Sequence, residues 1–243
     1  MTKDEKRKMK KYELTTKDEF GYYLYQLICR CYKLLKQQNR YLKLVSEYIS
    51  IQQKRSVLTV PSKIDIPYEE YSNFLAMLGH VETNLLNVIG DLQDSSLSYY
   101  KFRNIISKRK KKNSLTFEIR DIEDDCIEIL KNFNLNRNFQ NHMPESLITT
   151  EDKMIKEQKL CPIEINPIPI ISYHSCTLEF LADMYKSYTE MHKLSGIVFE
   201  SMKKDMESLT GQKLNIIEVF SEKSKGIEHL EPVKLASEIQ GIK

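Results

Sequence analysis

The chain has no tryptophan and only seven glycines and seven prolines among its 243 residues. A β-sandwich or barrel turns every few residues and draws on both for its turns, so their shortage argues against those folds. Cysteine is scarce too. The five, at Cys29, Cys31, Cys126, Cys161 and Cys176, are odd in number and contain no CxxC pair, which argues against a disulfide framework and against structural zinc. Reduced, half-buried thiols in a cytoplasmic protein are expected. No stretch approaches the ~18 apolar residues of a membrane span, and "MTKDEKRKMKKYELTTKDEF" carries charge without an apolar h-region, so neither membrane insertion nor secretion is expected. A Gly-rich phosphate loop, a serine nucleophile elbow, a metalloprotease motif and an internal repeat are all missing, which leaves nucleoside-triphosphate chemistry without support. An excess of one charge is missing as well: 37 Lys and Arg face 34 Asp and Glu, so attraction to a polyanion must come from local clustering.

What remains is a chain rich in Lys, Glu, Leu, Ile and Tyr, 41% apolar, which suits long helices around a real core. The first helix opens at "TTKDEF", where Thr15 or Thr16 can cap and Asp18 and Glu19 suit a positive helix end. Its apolar stripe runs from Phe20 through Leu24, Leu27, Ile28 and Cys31 to Ile49. Pro61 and Pro67 make "LTVPSKIDIP" a connector. A second stripe follows from Tyr68 to Leu92 and resumes at Phe102, Ile105 and Ile106; Gly79 and Gly90 weaken this helix but need not end it. "SKRKKKNS" then falls between helical patterns as a solvated loop. A third helix carries Phe117, Ile119, Ile122, Cys126, Ile129, Leu130 and Phe133 and is stopped by Pro144, after which "PESL" can open a short helix. The Pro- and Ile-rich "CPIEINPIPIIS" is extended and wraps a helical surface. A last helix spans about Cys176 to Leu209 with Gly211 as its stop, and "KLNIIEV" could be a short C-terminal strand. The expectation is all-α: one helical-bundle domain over residues 16–220, a basic flexible tail at 1–15 and a loose C-terminal tail at 221–243.

The least ordinary passage is "NLNRNFQNHMPES". On a helix Asn138 and His142 share a face, Arg137 reaches the same spot, and Leu135, Phe139 and Met143 form an apolar stripe beside them, so one side can be buried and the other exposed. A guanidinium matches a phosphate bidentately, an imidazole exchanges a proton near neutral pH, and a carboxamide can orient either. A polar helix end is the plainer reading.

Arg137-Asn138-Phe139-Gln140-Asn141-His142 resembles the signature of the HEPN superfamily (higher eukaryotes and prokaryotes nucleotide-binding): Arg, then Asn, Asp or His, three free positions, then His. The resemblance covers six residues as a motif and roughly residues 17–210 as an architecture. It implies an all-α domain with the signature near the end of a late helix. It also implies a metal-independent endoribonuclease of the toxin–antitoxin, abortive-infection or CRISPR-associated type, whose two motif copies meet across a homodimer. By that resemblance Arg137 binds and polarises the scissile phosphate, His142 is the general acid or base, and Asn138 fixes their geometry. The RNA supplies its own 2′-hydroxyl as nucleophile and no cofactor is needed. An antitoxin or regulatory protein would be a partner. Departures exist: a Tyr that one toxin branch carries two residues after the His is Pro144 here, and "FRNIISK" imitates the signature but ends in Lys108.

Other candidates rank lower. Lys108, Arg109, Lys110, Lys111 and Lys112 could contact an RNA backbone, with Tyr99, Tyr100 and Phe102 ahead of them to stack bases, although a basic loop is usually only solvated. Asp121, Asp124, Asp125 and Glu128 share a helical face and could attract a divalent cation, but repulsion relieved by the nearby basic run is the simpler account. His80, His174, His192 and His229 lack any paired ligand spacing. The alternatives to an enzyme are a non-catalytic helical module that binds RNA or protein, and a coiled-coil adaptor.

Overall fold

The computed structural model describes residues 12–56, 64–141 and 172–218, with 148–149, 152–153 and 156–157 between them. His142, Pro144, the "PESL" helix, most of the Pro- and Ile-rich segment, Cys161, His229, residues 1–11 and residues from 219 onward lie outside the described residues.

Helix α1 (Lys17–Ser56) begins with a reciprocal cap. Glu19 N–H donates to the Thr16 hydroxyl at 3.3 Å, and the Glu19 carboxylate accepts from the backbone N–H groups of Thr15 and Thr16, each at 2.7 Å. The Thr15 hydroxyl and those N–H groups hold the Glu19 carboxyl down to about 2. Strand β1 (Asp65–Pro67) and helix α2 (Tyr68–Gly90) follow, then α3 (Tyr99–Lys111), α4 (Asp124–Asn141), strand β2 (Ser175–Thr177) and α5 (Leu178–Thr210). The strands pair antiparallel, Asp65 opposite Thr177 and Pro67 opposite Ser175. Proline at the last strand position leaves the ladder intact. The Thr177 hydroxyl caps α5 by accepting from Phe180 N–H at 3.2 Å; at its far end Gly211 takes the left-handed φ of 71° that a glycine stop allows.

The fold is an all-α bundle with this small sheet as its only addition among the described residues. Long helices α1, α2 and α5 run its length. One cluster joins Leu42, Val45 and Ile49 of α1 to Leu78 of α2 and Leu178 and Leu181 of α5. The larger cluster lies at the other end, where Phe20, Leu24 and Leu27 meet Leu85 and Ile89 and are covered by α3 and α4. Leu14, within the stretch expected as tail, is buried there. Tyr99 and Phe102, expected as base-stacking rings, are fully buried in the same cluster; Phe102 stacks on Tyr23 and meets Phe20 edge-on.

Three local expectations are corrected. The basic run is helical: Lys108 to Lys111 form the last turn of α3 and Lys112 caps it, because cations there offset the exposed carbonyl end of the helix. Phe117, Ile119 and Ile122 precede α4 in irregular chain, where Arg120 N–H donates to the Ser208 side chain at 3.0 Å instead of to a helical carbonyl. "KLNIIEV" is no strand over its described residues 213–218: Leu214 N–H donates to Glu207, and Glu218 binds Tyr32 and Lys36 of α1.

Gly90 is the last residue of α2, and α4 passes close against it. A β-carbon there would sit 2.7 Å from the Phe133 carbonyl carbon and 2.8 Å from Asn134 N, both backbone atoms, and Gly90 O accepts from the Asn134 amide at 2.8 Å. Gly90→Ala should therefore cost about 1–3 kcal/mol. Gly21→Ala, where a β-carbon meets nothing within 4 Å, should be neutral or stabilising. Denaturant midpoints of the two variants check this, and equal behaviour would remove the close crossing.

Candidate functional site

Helix α4 turns Cys126, Leu130, Phe133 and Arg137 inward, four positions at helical spacing of which the last is charged. Arg137 is thus 8% exposed, and the flanking Leu135 and Phe139 stand in solvent at 65% and 58%. This reverses the expected sides. The apolar pair beside the motif is outside, and the guanidinium continues the core stripe.

Helix α2 supplies what a buried guanidinium needs. His80, Asn84, Asn87 and Asp91 recur at spacings of four, three and four, one polar edge on a mostly apolar helix. The two helices run antiparallel: Asn134 bonds Gly90, Arg137 bonds Asn87 and Asp91, and Gln140 bonds Glu82 and Thr83. Arg137 Nε donates to Asn87 Oδ1 at 3.2 Å, Nη1 to Asn138 Oδ1 at 3.2 Å and Nη2 to Asp91 Oδ2 at 3.1 Å. Three of the five N–H donors of a guanidinium are used among the described residues, one on each nitrogen.

Asp91 is itself tightly placed. It caps the C-terminus of α2, its Oδ1 accepts from Gln93 N–H at 2.9 Å, and its carbonyl oxygen accepts from the Ser98 hydroxyl. A carboxylate at the negative end of a helix is unfavourable alone, and α2 has no basic residue in its last turn. Arg137 supplies the missing cation from another helix.

Asn138 is exposed and touches the guanidinium, so Arg137 and Asn138 are together in the last turns of α4. His142, the third motif residue, follows the last residue of that helix and lies outside the described residues. Beside them burial pushes the Glu82 carboxyl up, opposed by the hydrogen bond from Gln140. His80 is exposed, with Nε2 3.2 Å from the Asn84 amide nitrogen.

The other candidates separate from this site. Arg109 lies over the Phe20 ring at 5.3 Å, and Lys110 donates to Ile119 O and Asp121, while Lys108, Lys111 and Lys112 are exposed. Asp121 precedes α4 and so shares no helical face with Asp124, Asp125 and Glu128; it is held low by Lys110. No group of three His, Cys, Asp or Glu among the described residues is arranged to hold a metal ion. His174 lies just before β2, and His192 is half-buried on α5 with Nδ1 2.9 Å from Gln38 Oε1. No described helix is long and apolar enough to cross a membrane. A groove of about 1000 Å³ along α1 beside Tyr25, Tyr32 and Lys36 shares no residue with the motif.

Compared with known proteins, the chain matches no family model, no curated protein and no solved structure.

Asp91 and Asn87 are the partners that sequence reasoning missed. The polar spacing of 80, 84, 87 and 91 was the available signal. Because the Arg137–Asp91 pair is withdrawn from water, either Arg137→Ala or Asp91→Ala should cost about 3–5 kcal/mol. The double variant should cost clearly less than the two together, with a coupling of about 1–3 kcal/mol. Urea denaturation of the four proteins measures it, and strict additivity would show the pair to be idle.

Proposed function

We propose that this chain is a metal-independent endoribonuclease of HEPN type that works as a homodimer, a defence or toxin effector in which Arg137, Asn138 and His142 of each copy face one scissile phosphate. The observation that carries the proposal is the fixed guanidinium: Arg137, the first residue of the motif, is held by Asn87, Asn138 and Asp91 at the end of α4, and among the described residues one N–H on each terminal nitrogen meets no acceptor. A donor that need not reorganise is worth more to a developing charge than a mobile one. Leu135 and Phe139 support self-association, since two large apolar side chains exposed one turn apart suit a second copy.

The chemistry follows from the groups. The ribose 2′-hydroxyl attacks phosphorus in line as its proton passes to a base, the 5′-oxygen leaves with a proton from an acid, and a 2′,3′-cyclic phosphate remains. Arg137 offsets the charge gathering on the non-bridging oxygens, Asn138 orients it, and His142 exchanges the proton. RNA is the substrate, the basic end of α3 is a candidate contact for its backbone, and an antitoxin or other regulator is a candidate partner.

One observation favours a second reading. At 8% exposure and paired to Asp91, Arg137 is also what a purely structural clamp looks like, as in a non-catalytic helical module that binds RNA or protein. Incubation of purified protein with total RNA in excess chelator separates the two. The wild type should cut, and His142→Ala should lose about 100-fold or more in rate; equal cleavage by both would end the ribonuclease proposal, and no cleavage by either would favour the structural clamp. In light scattering the wild type should be dimeric at micromolar concentration, and Leu135→Ser with Phe139→Ser should give monomers that do not cut. An active wild-type monomer would remove the composite site.

A further inference from the structure

At the opposite end of α4 a second concavity, of about 430 Å³, opens between α3, residues 120–122 and the first turns of α4. Tyr100, Asn104, Ser107 and Lys111 line it from α3, spaced four, three and four and hence on one face. Four cations converge there, Arg103, Lys110, Lys111 and Arg120, against one lining carboxylate, Asp121. Arg103 is only 6% exposed. The offset of a helix C-terminus explains Lys110 and Lys111, but Arg103 lies two turns earlier and Arg120 on a different segment.

The chain's own carboxylates and carbonyls meet three of the four cations: Arg103 Nη1 and Nη2 donate to Arg120 O, each at 3.3 Å, and Lys110 to Ile119 O at 2.8 Å. Arg103 and Arg120 are braced by fully buried Asp205 of α5, at 3.3 Å and 2.8 Å, and Arg120 also by Glu123 at 2.9 Å. Lys110 is held by Asp121 at 2.6 Å, a carboxylate whose side chain is 93% exposed and is free to yield its place to an incoming anion. Lys111 makes no ion pair among the described residues. Asn104 and Ser107 complete the polar lining, and Ile106, Ile122, Ile127 and Leu130 form an apolar floor beside the Tyr100 ring.

We propose that this cavity binds a nucleotide through its phosphate monoester, with the phosphate between Lys110, Lys111 and Arg103 and the base over the isoleucine floor. Once Asp121 yields its place, Lys110 and Lys111 carry two charges to match a dianion, the floor suits a flat apolar body, and Asn104 and Ser107 offer the donors and acceptors that a base edge or ribose hydroxyl requires. The volume lies near the lower end of small-ligand sites, which suits one nucleotide unit and not a longer stretch of strand. Leu130 and Arg137 are seven residues apart on α4, roughly 10 Å along the axis, so this site is separate from the guanidinium of the motif and does not depend on the ribonuclease proposal.

The phosphate can come from a free nucleoside monophosphate or from the phosphorylated end of an RNA strand. Calorimetric titration of the full chain with adenosine 5′-monophosphate and with adenosine tests the chemistry. Titration of the full-length His142→Ala protein with a short oligoribonucleotide bearing either a 5′-phosphate or a 5′-hydroxyl separates the sources, without cleavage consuming the strand. One-to-one binding that weakens about tenfold or more when the phosphate is missing is expected from at least one source. Lys111→Glu should weaken it about tenfold, whereas the equal charge change Lys43→Glu, on exposed α1 surface, should change it less than about twofold. Both lysines are exposed, so the fold should survive, and unchanged thermal melting checks that. Preference for the monophosphate assigns a free nucleotide, and preference for the phosphorylated strand assigns an RNA end. Absence of saturable, phosphate-dependent binding from both sources would overturn the proposal, as would equal weakening by Lys43→Glu and Lys111→Glu. A chain that binds phosphate but cuts no RNA would leave this inference standing and remove the ribonuclease proposal alone.

Discussion

A carboxylate with no solvent exposure must be met by charge or remain too costly to bury, and Asp205 imposes that constraint on half of the molecule. Its Oδ2 accepts from the Tyr99 hydroxyl at 2.8 Å and lies 3.3 Å from Arg103 Nη1 of α3, and Arg120 Nε stands 2.8 Å from its Oδ1; the two arginine contacts are coulombic and not aligned as hydrogen bonds. Ser201, one turn earlier on α5, binds both Tyr99 and Arg120. Three separate parts of the chain are thereby tied at one point. Apolar packing could hold α3 against α1 in several rotations; this network permits few. Such a pair adds little net stability over a well-packed hydrophobic replacement, so its weight lies in which arrangement it selects.

The same physics repeats between α2 and α4, with one difference. Asp91 is needed where α2 ends and the chain must turn, and Arg137 reaches it from the inward stripe of α4. Gly90 lets the two backbones close, so the guanidinium arrives with little freedom. A structural role and a catalytic one are therefore not opposites here. The Asp91 pair would lower the charge that Arg137 offers to the proposed phosphate, but it would also remove the cost of ordering a long side chain for it. Which effect wins depends on what the two remaining N–H groups meet.

Much of the fold was legible because its signals are local. Thr16 and Glu19 cap α1, Gly211 stops α5, and the stripes of α1, α2 and α5 repeat at 3.6 residues over many turns. The region between α3 and α4 was not, since Phe117, Ile119 and Ile122 have helical spacing but their backbone bonds elsewhere. The Ser208 hydroxyl on Arg120 N–H is a tertiary fact that no window of eleven residues contains. In the candidate site, the pairing of Arg137 with Asp91 joins positions 46 apart. The sequence offered the polar spacing on α2 and the position of Arg137 on the stripe of Cys126, Leu130 and Phe133, and reading both together would have placed the arginine inside.

Helix α4 borders both sites. Its first turns wall a cavity rich in cations, its last turns carry the motif, and its solvent side presents Leu135 and Phe139. One rigid helix fixes the spacing between the ends, because a helix does not stretch and its inward stripe is locked by Phe133 against Gly90. If both proposed sites take phosphates, their separation follows from how α3, which carries Arg103, Lys110 and Lys111, packs against α4. A nucleotide unit held in the cavity would then set where along the strand the guanidinium acts. A free nucleotide in the same cavity would instead compete with the strand end, and the two proposals would then oppose each other within one chain.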